Sequence, residues 1–206
     1  MLNETADLAR VGPDETLFSA GDRLGELTFL VAGQVAATLQ SRRADTTLID
    51  VLLPIRPLCL AAALLQRPAP YGVLTVTAAR LIILPLPDLR RQIEASLPAS
   101  AALLHHALSE SYRADQEVAS LKLQSSARRL AEYLLSRASE TDAEPVRFVL
   151  PFEKRLLAAS IGCTQENLSR AFAALRPLGV ETRQGVVVLR DVTTLRAYAA
   201  GARVGT

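Results

Sequence analysis

A single glycine, Gly162, divides two amphipathic segments between Lys154 and Leu175, and a pair of short valine-rich runs follows closely behind them. That arrangement leaves the C-terminal part of the chain few folds to choose from. Two helices that cross tightly need a small residue at the contact, a residue free to turn left-handed, and apolar side chains that lock one helix onto the other. Ala158, Gly162 and the set Leu157, Ile161, Leu168 and Phe172 meet those needs in turn. Thr164 is the expected N-cap of the second helix, its hydroxyl placed to accept from the backbone N–H of Glu166 or Asn167. Val180 to Arg183, then Gln184-Gly185, then Val186 to Leu189 read as two strands that turn at a glycine. An ordinary helical hairpin with a wet outer face shares the Ala158 and Gly162 spacing, so the strands downstream favour a winged helix-turn-helix.

With Leu168, Ala171 and Phe172 turned inward, Gln165, Glu166, Ser169 and Arg170 face solvent in the first turns of the second helix. This is the part of such a helix that enters a major groove. Arg170 can donate a fork to guanine O6 and N7, Glu166 can accept from cytosine N4, and Ser169 is small enough to let the helix approach the base edges. Lys154, Arg155 and Arg183 are the expected phosphate contacts that set register. Charge distribution permits this reading: residues 1–124 carry 11 Lys+Arg against 13 Asp+Glu, and residues 125–206 carry 12 against 8, or −2 and +4. Double-stranded DNA is the expected partner.

Upstream the texture differs. From Asp14 to about Pro87 short apolar runs (Leu27 to Leu39, Thr47 to Leu53, Tyr71 to Leu86) are separated by Gly, Pro and charged residues, the spacing of an all-β barrel or roll. Asp88 to Ala95 then reads as a short helix, and Pro98 opens a long helical stretch to about Gln124. Leu104, Leu108, Val118 and Leu121 recur on one face of it, with Ser111 and Asp115 on much the same stripe. A dimer seam and a plain core helix both give that pattern. Ser125 and Ser126 offer caps for a further helix, Ala127 to Arg137, followed by a polar loop, Ala138 to Pro145, and a short strand, Val146 to Leu150.

Cys59 and Cys163 are far apart in a chain without a secretory signal, which fits a reducing cytoplasm. The longest apolar stretches, such as Leu58 to Leu65, are too short to span a membrane. No nucleophile–base pair, metal-ligand cluster or phosphate loop is legible, so an enzyme is not expected.

Over nearly its whole length the chain resembles the superfamily of the cyclic-AMP receptor protein and the fumarate–nitrate regulator (CRP/FNR). Leu17-Phe18-Ser19-Ala20-Gly21-Asp22 and Phe29-Leu30-Val31-Ala32-Gly33-Gln34-Val35 are similar to its β-roll signatures, and Glu166, Ser169 and Arg170 to its recognition-helix pattern. The resemblance implies an α+β fold with a β-roll sensor domain over 1–97, a dimerisation helix over 98–124 and a winged-helix DNA-binding domain over 125–206. It implies a hinge at about Leu123 to Ser126, a homodimeric transcription regulator in the cytoplasm, and RNA polymerase as a partner. Ser169 gives the fumarate–nitrate form of the pattern, which implies half-sites of the TTGAT type. Gln165 and Ser169 both depart from the cyclic-AMP form and its TGTGA-type half-site.

Cyclic-nucleotide binders of the superfamily hold ribose with a Gly-Glu pair and phosphate with an Arg followed by Ser or Thr. Residues 56–71 contain no Gly-Glu pair, and Arg67 precedes Pro68, so cyclic AMP is not the expected effector. The N-terminal cysteine cluster of the fumarate–nitrate regulator is absent too. Pro70-Tyr71 and residues 97–135 look more like the nitric-oxide-responsive regulators of denitrification, some of which are thought to use haem. His105 and His106 are the haem-ligand candidates, against the plainer reading that one faces solvent and the other packs. Cys163, at the turn before the recognition helix, reads either as a thiol activated by the helix N-terminus or, preferably, as a small apolar residue at the crossing. The rival to a DNA-binding regulator is a haem or small-molecule sensor that acts through protein partners.

Overall fold

The computed structural model describes residues 6–40, 46–138, 145–150, 153–183 and 185–201. It divides into two compact units, Met1–Asp115 and Gln116–Thr206.

The first unit is built from two four-stranded antiparallel sheets. Strands β1 (Asp7–Val11), β8 (Ala79–Pro85), β3 (Glu26–Ala32) and β6 (Arg56–Leu58) form one, in that order; β2 (Thr16–Phe18), β7 (Gly72–Thr75), β4 (Val35–Gln40) and β5 (Thr46–Leu52) form the other. Leu30, Leu58, Ala79 and Leu81 from the first sheet meet Val35, Ala37, Leu52 and Val73 from the second in one buried cluster. The apolar run Leu27 to Leu39 is therefore two strands, folded back at Gly33. Gly33 has φ +91°, and a Cβ there would lie 2.4 Å from the carbonyl oxygen of Ala78, so only glycine fits. The buried Thr75 hydroxyl donates to the Gly12 carbonyl and accepts from the Glu15 N–H, which ties the β1–β2 connection to β7.

The expectation of strands throughout Asp14 to Pro87 needs one correction. Helix α1 (Leu60–Leu64) interrupts them, with Cys59 as a left-handed N-cap and Ala62 and Ala63 buried. A five-residue apolar run lacks the length to show a helical period. Helix α2 (Leu86–Ala95) begins two residues before the expected Asp88, because Pro87 takes a first-turn position where its missing N–H costs nothing.

Helix α3 (Leu97–Leu123) runs 27 residues, about 40 Å at 1.5 Å per residue. Among the described residues it contributes none to the buried core. Leu104 and Leu108 are 61% and 62% exposed, so the stripe is not the face of a helix buried in its own chain.

In the second unit α4 (Ser126–Ala138), α5 (Lys154–Ser160), α6 (Gln165–Leu175) and α7 (Val192–Ala199) pack with a three-stranded antiparallel sheet ordered β10 (Val180–Arg183), β11 (Val186–Leu189), β9 (Val146–Val149). Leu130, Ala131, Leu134, Leu157, Ala158, Ile161, Leu168, Ala171 and Leu175 join Val146, Val180, Val187 and Leu189 in its core, and Phe172 packs against them partly buried. Gln184 of the hairpin turn, and 139–144 of the expected polar loop, lie outside the described residues. Helix α7 was not expected; Asp191 caps it by accepting from the Thr194 N–H at 2.8 Å, and Leu195 and Ala199 bury its inner face.

Candidate nucleic-acid interface

Helix α5 ends in a Schellman turn: the Cys163 N–H donates to the Ala158 carbonyl and the Gly162 N–H to that of Ala159, each at 2.9 Å. The turn requires the left-handed φ of +64° that Gly162 supplies. Two residues later Thr164 caps α6, its hydroxyl accepting from the Asn167 N–H at 3.2 Å. Leu168, Ala171 and Leu175 then face the core, which fixes the opposite face of α6 outward.

That outward face carries the four residues expected there. Gln165, Glu166, Ser169 and Arg170 are all exposed. Arg170 pairs with Glu166 one turn earlier, and the Ser169 hydroxyl donates to the Gln165 carbonyl at 3.1 Å, folding back on its own helix and keeping the surface low. The Glu166–Arg170 pair holds an acceptor and a forked donor side by side on the exposed face of the helix. Lys154 and Arg155 are exposed at the start of α5, and Arg183 is exposed at the end of β10 beside the hairpin turn.

The sheet adds basic residues not singled out in the sequence. Register places Glu181 opposite Val188 and Val188 opposite Arg147, so Arg147 and Arg183 share the sheet face turned away from the core residues Val180 and Val187. Arg190 pairs with Glu181 on that face. The hydrogen bond from Arg190 holds the Glu181 carboxyl below its usual range, with Arg183 and Arg147 adding to the effect.

Cys163 is half-buried, and burial raises its thiol despite nearby Arg129 and a hydrogen bond with Ser126. Its side chain packs against the core of the second unit.

Arg67 is exposed, and the N-cap of α1 is Cys59, hydrogen-bonded to Tyr71. Burial pushes both the Cys59 thiol and the Tyr71 phenol up, so both stay neutral. Arg56 donates to Glu110 at 3.2 Å, and Glu110 also pairs with Arg113. His105 is exposed, whereas His106 is half-buried and its Nε2 is enclosed without a hydrogen-bond partner. Neighbours in a helix point about 100° apart, so the two imidazoles face different directions. Among the described residues no group of three or more His, Cys, Asp or Glu could hold a metal ion, and no helix is long and apolar enough to cross a membrane.

A β-roll-like unit, a long exposed helix and a winged helix-turn-helix together give the chain the architecture of a transcription regulator. Residues 8–96 match the cyclic nucleotide-binding domain family and residues 128–198 the Crp-like helix-turn-helix domain family. The chain belongs to the CRP/FNR superfamily of transcription regulators, which are DNA-binding proteins and not enzymes. Its fold is similar to that of FixK2 from Bradyrhizobium japonicum (TM-score 0.76, 18% identity, 96% of this chain and 98% of that one). It is similar also to a CRP-family transcriptional regulator from Thermus thermophilus (TM-score 0.70, 20% identity, 94% and 97%). A CooA mutant from Carboxydothermus hydrogenoformans shares the fold at 14% identity (TM-score 0.74, 94% and 88%). No curated protein matches the chain in sequence.

Proposed function

We propose that the protein is a cytoplasmic homodimeric regulator that reads a TTGAT-type palindrome, with 1–97 as sensor, 98–124 as dimerisation helix and 125–206 as DNA-binding domain. Arg170, Glu166, Gln165 and Ser169 read bases; Thr164 orients their helix; Lys154, Arg155 and Arg183 hold phosphates; RNA polymerase is the partner at the promoter. The observation that carries this reading is the exposed Glu166–Arg170 pair at the start of a capped helix whose opposite face is locked in the core. The exposed stripe of α3 supports the dimer, because a large apolar face of this kind marks an interaction surface. Cyclic AMP is not the proposed effector, because Arg67 is followed by Pro68 where cyclic-nucleotide binders of the superfamily follow their arginine with a hydroxyl residue.

Electrophoretic binding to TTGAT-type and TGTGA-type palindromes across a range of salt tests the proposal. Preference for the first, with affinity falling as salt rises, is expected. Equal, weak binding to both and to random duplex would refute it. The enclosed Nε2 of His106 is the one observation that favours a haem sensor within the nitric-oxide-responsive group. A Soret band that appears on adding haem and is lost in His106→Ala would establish that reading.

A further inference from the structure

A recognition helix is useful to a dimer only if its angle to the two-fold axis is fixed, because the two half-sites lie a set distance apart. In the second unit one side chain is placed to fix it. Arg129, in the first turn of α4, donates from Nε to the Ile161 carbonyl at 2.8 Å, from Nη2 to the Gly162 carbonyl at 3.1 Å and from Nη1 to the Gln124 carbonyl at 2.8 Å. Gln124 directly follows the last residue of α3, and Ile161 is the C-cap of α5. Both are helix C-termini, which leave carbonyls unpaired and carry partial negative charge. A single guanidinium answers both, and its rigid planar fork reaches several acceptors where an ammonium would be a point charge.

Two further contacts close the same joint. The Leu121 side chain sits against Gly162, where a Cβ would lie 2.4 Å from its Cδ2. The Gln124 side chain accepts from the Ser120 hydroxyl at 2.7 Å and donates to the Glu132 carboxylate at 2.8 Å, tying the last turn of α3 to α4. Three side chains, Arg129, Leu121 and Gln124, thus hold the end of α3 to α4 and to the turn after α5, and the clamp ends two residues before the N-cap of α6.

We infer that Arg129 is a positioning residue that locks the recognition helix to the end of the long helix, so that the spacing between half-sites, rather than the sequence of either one, depends on it. The inference rests on the DNA-binding reading for its consequence, but not for the clamp itself.

Three variants test it: Arg129→Met, which keeps the length and loses every donor; Arg129→Lys; and Val146→Ala, which weakens the core away from the joint. Each is assayed on the preferred palindrome, on the same palindrome with two base pairs inserted at its centre, and on an isolated half-site. Wild type is expected to discriminate strongly between the two palindromes. Arg129→Met should lose about tenfold or more of its affinity for the correct spacing and most of that discrimination, with half-site binding unchanged. Arg129→Lys should recover part of it, and Val146→Ala should discriminate like wild type wherever it is folded. Spacing discrimination that survives in Arg129→Met, or falls equally in Val146→Ala, overturns the inference. Amide exchange by NMR gives a readout without DNA: Ile161, Gly162 and Cys163 should exchange faster in Arg129→Met than in Val146→Ala. If wild type prefers no palindrome and this difference is still seen, the clamp stands and the DNA-binding reading falls. If those amides exchange equally in the two variants, the clamp is wrong.

Discussion

Replacing Arg170 by alanine separates reading of bases from holding of phosphates. In the free protein Arg170 and Glu166 pair, and both side chains are 73% exposed. An exposed pair at this spacing contributes only ~0.3–0.5 kcal/mol, and alanine has the better helix propensity, so α6 should stand unchanged. Any effect on DNA binding is therefore an effect at the interface. Losing a bidentate contact to guanine costs about 1–3 kcal/mol per half-site. Two half-sites double that to roughly 2–6 kcal/mol, from about 30-fold to some four orders of magnitude in affinity. Gel-shift titrations on the palindrome and on random duplex, each at several salt concentrations, measure it. Specific affinity should fall within that range, non-specific affinity should hardly change, and the slope of log affinity against log salt should stay as in wild type. Equal losses on both DNAs, with the slope reduced by about one per subunit, would make Arg170 a phosphate contact and refute the base-reading assignment.

Leu108→Asp and Val118→Asp each place an uncompensated charge in the exposed stripe of α3, and sedimentation at micromolar concentration should show both variants shifted toward monomer. Their affinity for the palindrome should collapse while single half-site binding persists; normal dimers would remove α3 as the interface. Gly162→Ala puts a Cβ at φ +64° and against Leu121, so thermal melting should show a loss of roughly 1–2 kcal/mol from the backbone conformation, with a further contribution from displacing Leu121. Leu121→Ala should remove that further contribution, so a strictly additive double variant would show that the Leu121 contact carries no energy.

The helix-turn-helix was legible because its demands are local. Gly162 at the turn, Thr164 at the cap and the inward set Leu157, Ile161 and Leu168 are all set by neighbours within a few residues. The two four-stranded sheets were legible only as a class, since which strands pair depends on contacts far apart in sequence, such as Asp7 with Ile83. Helix α1 was missed because five apolar residues show no period. Helix α7 was missed although Asp191 and the Leu195–Ala199 spacing signal it, a cap followed by an i,i+4 apolar pair. Arg129 gave no signal at all, because on an amphipathic helix an arginine beside the apolar face reads as solvated. Only the fold reveals that its neighbours are three carbonyls from two other helix ends.

The same contrast gives the stripe of α3 its meaning. Periodicity identifies a face and says nothing about what covers it, so Leu104, Leu108, Val118 and Leu121 suited a core helix and a dimer seam equally. Fully burying a leucine or valine side chain is worth about 1.5–3 kcal/mol, and a single chain that leaves Leu104, Leu108 and Val118 at 61%, 62% and 49% exposure gains only part of it. Ser111 and Asp115 in the middle of the stripe would lower the stability of a coiled-coil seam while restricting its register, as a polar residue at a core position does. A seam that holds at its apolar ends and is weak at its polar centre can pack in more than one way at small cost. Arg129 and Leu121 tie the distal end of that helix to the turn before α6. On the proposed reading, a change of packing between two copies of α3 therefore reaches the recognition helix through the clamp, and the half-site spacing is where it is felt.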